Sequence, residues 1–255
     1  MSKSGEQTRR RRASPARRLR PFWFLIAIAV VLAGIGVYLL ATWPALYPHT
    51  VEVTGNTIVR KEAIMQSAAI DLSKNMWLQN TRAMAARIES IPYIDRATIH
   101  RRPPDTMVIA VTERTPYAFV DDRAQRVTID RALRVLQNGE PSESAGPLPA
   151  FEMVLPQAAL VGSTIDDPDL QALAGDADAL AAAHVDARSL SFDRFGDVTV
   201  QLRNGITVLL GDRSGSEQKV ALIRPILEKV ERGKRRIAAL DLRAMTTPVV
   251  VYARR

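Results

Sequence analysis

The 255-residue chain carries 35 Lys and Arg against 27 Asp and Glu, a net charge of +8, and it contains no cysteine. Disulfides, thiolate nucleophiles and Cys-zinc sites are therefore excluded, and any exported domain must stand on packing alone. Residues 1–20 hold Lys3, Arg9, Arg10, Arg11, Arg12, Arg17, Arg18 and Arg20 against Glu6, which is seven of the eight net charges, so the basic balance describes a tail and not a nucleic-acid-binding surface.

The 22 residues from Phe22 to Trp43 carry no charge. As a helix they reach about 33 Å, enough for a hydrocarbon core of about 30 Å. A cleaved signal peptide has a shorter apolar core, of about 7–15 residues, and ends at a small-x-small site, which Thr42-Trp43-Pro44 does not supply. Clustered Arg beside a span is retained on the cytoplasmic side. The expected arrangement is a basic cytoplasmic tail over 1–21, a transmembrane helix over 22–43, and the 212 residues from Pro44 onward across the membrane. Trp23, Tyr38 and Trp43 suit interfacial positions, and the Ala29/Ala33 spacing fits helix packing or lipid-facing alanines equally.

Val51-Glu52-Val53 alternates and ends at the turn pair Gly55-Asn56, predicting a strand. Ile58, Ile64 and Ala68 recur at helical spacing, although Arg60-Lys61 supplies no good cap. Asn80 or Thr81 caps a second helix carrying Met84, Ile88 and Ile91, which Pro92 stops. Two alternating runs follow, Ala97 to Arg102 and Met107 to Glu113, turning at Pro103-Pro104-Asp105. This is a hairpin laid against two helices.

Val51-x-Val53-x-Gly55-Asn56, Ile91-Pro92-Tyr93-Ile94, Arg101-Arg102-x-Pro104-Asp105-Thr106-Met107 and Val111-Thr112-Glu113-Arg114-x-Pro116, in that order, resemble the POTRA module of the FtsQ/DivIB bacterial cell-division proteins. Pro103 stands where many members carry tryptophan. The resemblance implies a POTRA domain (β-α-α-β-β) over 44–116 directly outside the membrane.

The remainder, 117–255, is strand-rich. Tyr117 to Val120, Arg126 to Ile129 and Leu133 to Leu136 are short strand candidates, and Gly139 to Pro149 is a loop. Asp166-Asp167-Pro168-Asp169 introduces a helix through Leu170, Leu173, Leu180 and Ala183. Leu190 and Phe192, then Val198, Val200 and Leu202, then Ile206, Val208 and Leu210 form alternating runs, the last two separated by Asn204-Gly205, a strong hairpin signal because both residues tolerate positive φ. Ser216 caps a helix with Val220, Ile223, Leu227 and Val230 on one stripe and Glu217, Lys219, Glu228 and Lys229 mostly outward. Pro225 predicts a kink or break in it. Leu240 to Arg243 alternates, and Pro248 leads into a last strand, Val249-Val250-Val251-Tyr252.

The hairpin into Leu209-Leu210-Gly211, the Gln218-Lys219 helix and the Leu240-Asp241-Leu242-Arg243 strand resemble the β domain that follows POTRA in the same family. The expected fold class is α+β: a single transmembrane helix, a POTRA domain, and a C-terminal antiparallel β domain with flanking helices over 117–255.

Convergent catalytic groups do not emerge. His49, His100 and His184 have no paired ligand spacing. Asp121-Asp122 and Asp166-Asp167-Asp169 lack the calcium loop with its terminal Glu, and Gly211 to Ser216 is not a phosphate-binding loop. No G-x-S-x-G or S-x-x-K nucleophile motif is present. The sequence thus predicts no enzyme, no cofactor, no metal, no nucleic acid and no small-molecule substrate.

A closing strand commonly sits at a sheet border, where main-chain groups can receive a strand from another protein. The resemblance implies that Val249, Val250, Val251 and Tyr252 bind FtsB, and that the chain joins FtsB and FtsL-type proteins and other divisome components at midcell, in the inner membrane, to help control septal peptidoglycan synthesis. It also associates the POTRA region with recruitment, through Val51 to Gly55 or the Pro103-Pro104 hairpin. The competing reading of the last strand puts Val249 and Val251 in the core and Val250 outside. Arg101, Arg102 and Arg114 read as solvated charges. Two alternatives of other classes are a membrane-anchored cell-wall enzyme using a carboxylate pair such as Asp193 and Asp197, and a POTRA-bearing secretion component.

Overall fold

The computed structural model describes residues 20–123, 125–140, 147–232 and 236–253. The basic tail before Arg20, and residues 141–146 of the expected Gly139–Pro149 loop, lie outside these described residues. Helix α1 (Arg20–Thr42) carries the apolar run; its stretch Trp23–Thr42 is long and apolar enough to cross a membrane, and no part of it is buried by protein. Trp43 lies beyond the helix and heads a 3-10 turn, Pro44–Leu46.

The described residues fall into two compact units: those in Met1–Glu52, Ile70–Asn80 and His100–Val108, and those in Val53–Ala69, Thr81–Ile99 and Ile109–Arg255. Strand β1 (Thr50–Thr54), helices α2 (Lys61–Ala68) and α3 (Thr81–Glu89), and strands β2 (Ile94–Arg102) and β3 (Thr106–Glu113) give the β-α-α-β-β order, with the sheet arranged β1-β3-β2. Met107, Ile109 and Val111 of β3 alternate inward, and Ile64, Ala68, Met84 and Ile88 are the buried positions of the helices.

Two details explain why α2 forms despite its poor start. Arg60 offers no side-chain cap. Instead, the Glu113 carboxylate accepts the three consecutive amides of Thr57, Ile58 and Val59 at 2.9, 2.7 and 2.8 Å, pinning the segment that leads into the helix. At the other end the Arg87 guanidinium donates to the carbonyls of Ser67 and Ala68, satisfying acceptors that a helix terminus leaves open and complementing its dipole.

The second part is a nine-stranded sheet ordered β12-β11-β10-β9-β8-β7-β4-β5-β6. It is built from β4 (Ala118–Asp122), β5 (Gln125–Ile129), β6 (Val135–Asn138), β7 (Ala150–Glu152), β8 (Ala187–Phe192), β9 (Val198–Leu202), β10 (Thr207–Gly211), β11 (Ile237–Asp241) and β12 (Val249–Tyr252), with helices α4 (Pro168–Ala182) and α5 (Ser216–Arg232). Most neighbours are antiparallel, but β4/β7, β7/β8 and β10/β11 are parallel. Parallel neighbours need long connections; α4 supplies the one between β7 and β8 and α5 the one between β10 and β11. The helices touch each other, α4 lying against β8 and α5 against β10. Their apolar stripes, Leu170, Leu173 and Leu180 on α4 and Val220 and Ile223 on α5, join Val120, Phe151, Leu190, Val200, Val208 and Leu240 of the sheet in one core.

Several local expectations change. Helix α5 passes through Pro225 without a break, which removes one of the two outcomes expected there. Lys219 is not outward: its side chain is 3% exposed, and its ammonium donates to Asp212 Oδ1 at 2.8 Å and to the Asp212 carbonyl at 3.0 Å, because the turn after β10 brings both oxygens over the first turn of α5. The β9–β10 hairpin is present, but its turn is a three-residue loop closed by Leu202 N–H donating to the Ile206 carbonyl, and only Gly205, at φ +85°, is left-handed. Strand β7 has no counterpart among the predicted strands. It has three residues, and Phe151 is buried between parallel neighbours, so no alternation marks it.

The three arginines read as solvated charges are engaged. Arg114 is 20% exposed and bridges Asp95 at 2.7 Å and Asp130 at 2.9 Å. Arg101 donates to the carbonyls of Met76 and Gln79, and Arg102 pairs with Glu52. In each case the fold brings an acceptor from a distant segment, which local sequence cannot reveal.

Candidate partner-binding edge

The nine-stranded sheet ends in two border strands, β6 and β12. The β6 border is partly covered: Val135 N–H donates to the Ser163 carbonyl and Gly162 N–H to the Val135 carbonyl, both at 2.8 Å. Among the described residues no strand pairs with the outer side of β12. A border of this kind presents a row of main-chain donors and acceptors.

β12 is held on one side by antiparallel pairing to β11, with Asp241 opposite Val249, Leu240 opposite Val250, Ala239 opposite Val251 and Ile237 opposite Tyr252. Ala253 N–H donates to the Arg236 carbonyl at 3.0 Å. Main-chain groups alternate sides along a strand, so Val249 and Val251 turn theirs toward β11 and Val250 turns its N–H and C=O toward the open border.

The side chains follow the opposite parity from the competing expectation. Val250, opposite the fully buried Leu240, packs against the core, whereas Val249 is 54%, Val251 48% and Tyr252 37% exposed. The register to β11 decides this: residues directly opposite share a face, and Leu240 faces inward. Four apolar residues in a row contain no alternation from which that parity could be read. The four nominated positions are thus together on one border strand, with Val249 and Val251 on its outer face and Tyr252, opposite the core-packed Ile237, on the same side as Val250 but still 37% exposed.

The turn that delivers β12 is tightly specified. Asp241 accepts the Arg243 backbone amide at 3.0 Å and pairs with its guanidinium at 2.6 Å, which holds the Asp241 carboxyl below its ordinary range. Leu242 N–H donates to the Leu209 carbonyl at 2.8 Å. Gly211, at φ +79°, lies against this turn; a Cβ there would sit 2.8 Å from Arg243 Cγ.

The other candidates are not brought together. Among the described residues no group of three His, Asp or Glu side chains is arranged to hold a metal ion. His49 Nδ1 stands 3.9 Å from Asp105 on an exposed surface, and a His184 ring nitrogen lies 3.1 Å from the Ala182 carbonyl. Asp193 accepts the amides of Phe195 and Asp197 within the β8–β9 turn, a turn-forming role for that carboxylate. In the three-stranded sheet the border strands are β1 and β2, and the Val51 to Gly55 stretch lies on and just beyond β1.

Residues 48–114 match the family described as POTRA domain, FtsQ-type. A cell division protein FtsQ from Streptomyces bingchenggensis is 25% identical over 253 residues, covering 97% of this chain and 91% of that relative. A cell division protein DivIB from Clostridium tetani is 30% identical over 109 residues, 43% of this chain and 41% of that relative. The solved extracytoplasmic domain of DivIB from Geobacillus stearothermophilus aligns with a TM-score of 0.30 at 18% identity, over 48% of this chain and 97% of that one. With the β-α-α-β-β unit, the apolar helix before it and the strand-rich region after it, residues 48–114 form a POTRA domain of FtsQ type, and the sequence matches support a protein of the FtsQ/DivIB kind.

Proposed function

We propose that this chain is a non-catalytic, single-pass scaffold of the divisome that captures an FtsB-type partner by strand addition on β12. The observation that carries the reading is the border position of β12: Val250 presents its main chain outward, Val249 and Val251 offer an exposed apolar face beside it, and Tyr252 is part-exposed at the strand's end. In strand addition the main-chain bonds give affinity and alternate side-chain pockets give specificity. A partner segment pairing with β12 would extend the sheet by one strand and bury the three exposed side chains.

In this reading the basic tail lies in the cytoplasm, α1 spans the inner membrane, and segments 44–116 and 117–255 act outside as POTRA and β domains. The POTRA domain serves recruitment to midcell, and the β domain holds FtsB and FtsL-type proteins, which places the chain in the control of septal peptidoglycan synthesis.

Co-purification of FtsB- and FtsL-type proteins with the full-length chain tests this. Val250→Pro removes an outward donor, a change tolerated on a border strand, and should abolish co-purification while the circular dichroism is retained. Undiminished capture by a folded Val250→Pro chain contradicts binding at this strand.

A further inference from the structure

In the segment between α2 and α3, the 3-10 turn Met76–Leu78 points apolar side chains outward: Trp77 is 54% and Leu78 57% exposed, while Met76 is buried. The same turn is tied to the end of α1. The buried side-chain amide of Asn75 donates to the Leu40 carbonyl at 3.0 Å and to the Ala41 carbonyl at 3.1 Å, while its oxygen accepts the Trp77 amide at 2.9 Å. Asn75 therefore caps two last-turn carbonyls of the apolar helix and the 3-10 turn at once. Val37, Leu40, Ala41, Leu46, Trp77 and Leu78 line one apolar hollow there.

We propose that the Met76–Leu78 turn is a second membrane contact, seating Trp77 and Leu78 in the headgroup-to-acyl boundary of the leaflet in which α1 ends. This rests on reading α1 as a membrane span. Leu40 precedes Trp43 by three residues, about 4–5 Å along a helix axis, so the Asn75 bonds fix the turn at the depth of the span's own terminus. Irregular backbone is excluded from the hydrocarbon itself, but its side chains can enter the interface, where tryptophan is favoured.

Charge at the turn agrees with a lipid surface. Arg101 donates from Nε to the Met76 carbonyl at 2.8 Å and from Nη2 to the Gln79 carbonyl at 2.7 Å, and its guanidinium carbon lies 5.4 Å from the Trp77 ring centroid. A cation held over an aromatic ring at headgroup depth matches anionic phosphates. The occupant of this face is thus an anionic lipid surface, continuous with the lipid around α1.

The test uses the full-length chain in phosphatidylcholine–phosphatidylglycerol vesicles. Trp23→Phe with Trp43→Phe leaves Trp77 as sole emitter, and Trp23→Phe with Trp77→Phe leaves Trp43 as the reference for the span's end. Lipids brominated near the headgroup end of the acyl chain should remove most of the Trp77 emission, as they do for Trp43, and iodide should have little effect on either. Adding Leu78→Glu to the Trp77-only chain should lower the bromine quenching, and Leu78→Phe should preserve it. Trp77 emission at a water-like wavelength and quenched by iodide, with Trp43 still quenched by bromine, overturns the proposal and leaves the span intact. Trp77 shielded from both quenchers also overturns it, since protein then covers the turn. Loss of bromine quenching at both tryptophans removes the span and the proposal together.

Discussion

A Cβ added at Gly55 would stand 2.1 Å from the carbonyl oxygen of Val111, a distance no folded chain tolerates. Gly55 also sits at φ +85°, so β1 can turn away beside β3 only because this residue has no side chain. Gly55→Ala must displace β3 backbone, and we expect a loss of about 2–4 kcal/mol, read as an earlier denaturation midpoint at unchanged slope.

The Glu113 carboxylate, which follows Val111 by two residues on β3, organises the same corner by receiving Thr57, Ile58 and Val59 amides. Glu113→Ala leaves all three donors without that acceptor and should cost about 2–3 kcal/mol; Glu113→Gln should recover part of it. Hydrogen exchange should report the damage first at Thr57 to Val59 and in α2, where no other cap holds the helix start. An unchanged exchange rate there would contradict the assignment.

Two aspartates near α5 should give opposite pH effects. Hydrogen bonds from Lys219 and then Ser214 hold Asp212 below its ordinary value of 3.8, so its contribution is complete above that value and is lost as pH falls through the lowered one. Burial raises the Asp176 carboxyl instead, so its contribution is complete below the ordinary value and is lost as pH rises through the raised one. Asp176→Asn should therefore stabilise the chain at neutral pH by about 1 kcal/mol and show no gain in acid. Asp212→Asn should destabilise at neutral pH, because it strips the partner from a buried ammonium. Thermal melts of both variants across acid and neutral pH test the two signs.

Much of this architecture is legible in the sequence because local signals agree with the final packing. The alternation of Val198, Val200 and Leu202 survives as three buried positions on β9, and Asp167 caps α4 where the acids and Pro168 predict a start. The misread features depend on partners far along the chain. Lys219 looks solvent-facing until Asp212 folds over it, and Arg114 looks solvated until Asp95 and Asp130 meet it. Strand β7 is too short for a period and draws its identity from flanking β4 and β8. For the candidate site, the identity of the four residues is readable but their facing is not, because it is set by Leu240 across the ladder.

Side chains and main chain of β12 should separate in their effects. Val251→Glu changes only the exposed face and should weaken partner binding about ten-fold or more while stability stays within about 0.5 kcal/mol. Val250→Ala removes volume from the partly buried side and should lower stability by about 1 kcal/mol with less effect on binding. The opposite pattern in calorimetry and denaturation would reverse the facing described for these residues.

The most direct test of strand addition is residue-resolved hydrogen exchange at Val250 with and without an FtsB-type partner segment. The account predicts that the Val250 amide exchanges freely in the unbound chain and becomes protected on binding, while Val249 and Val251, already bonded to β11, change little. Saturating binding that leaves Val250 exchange unaltered would contradict it.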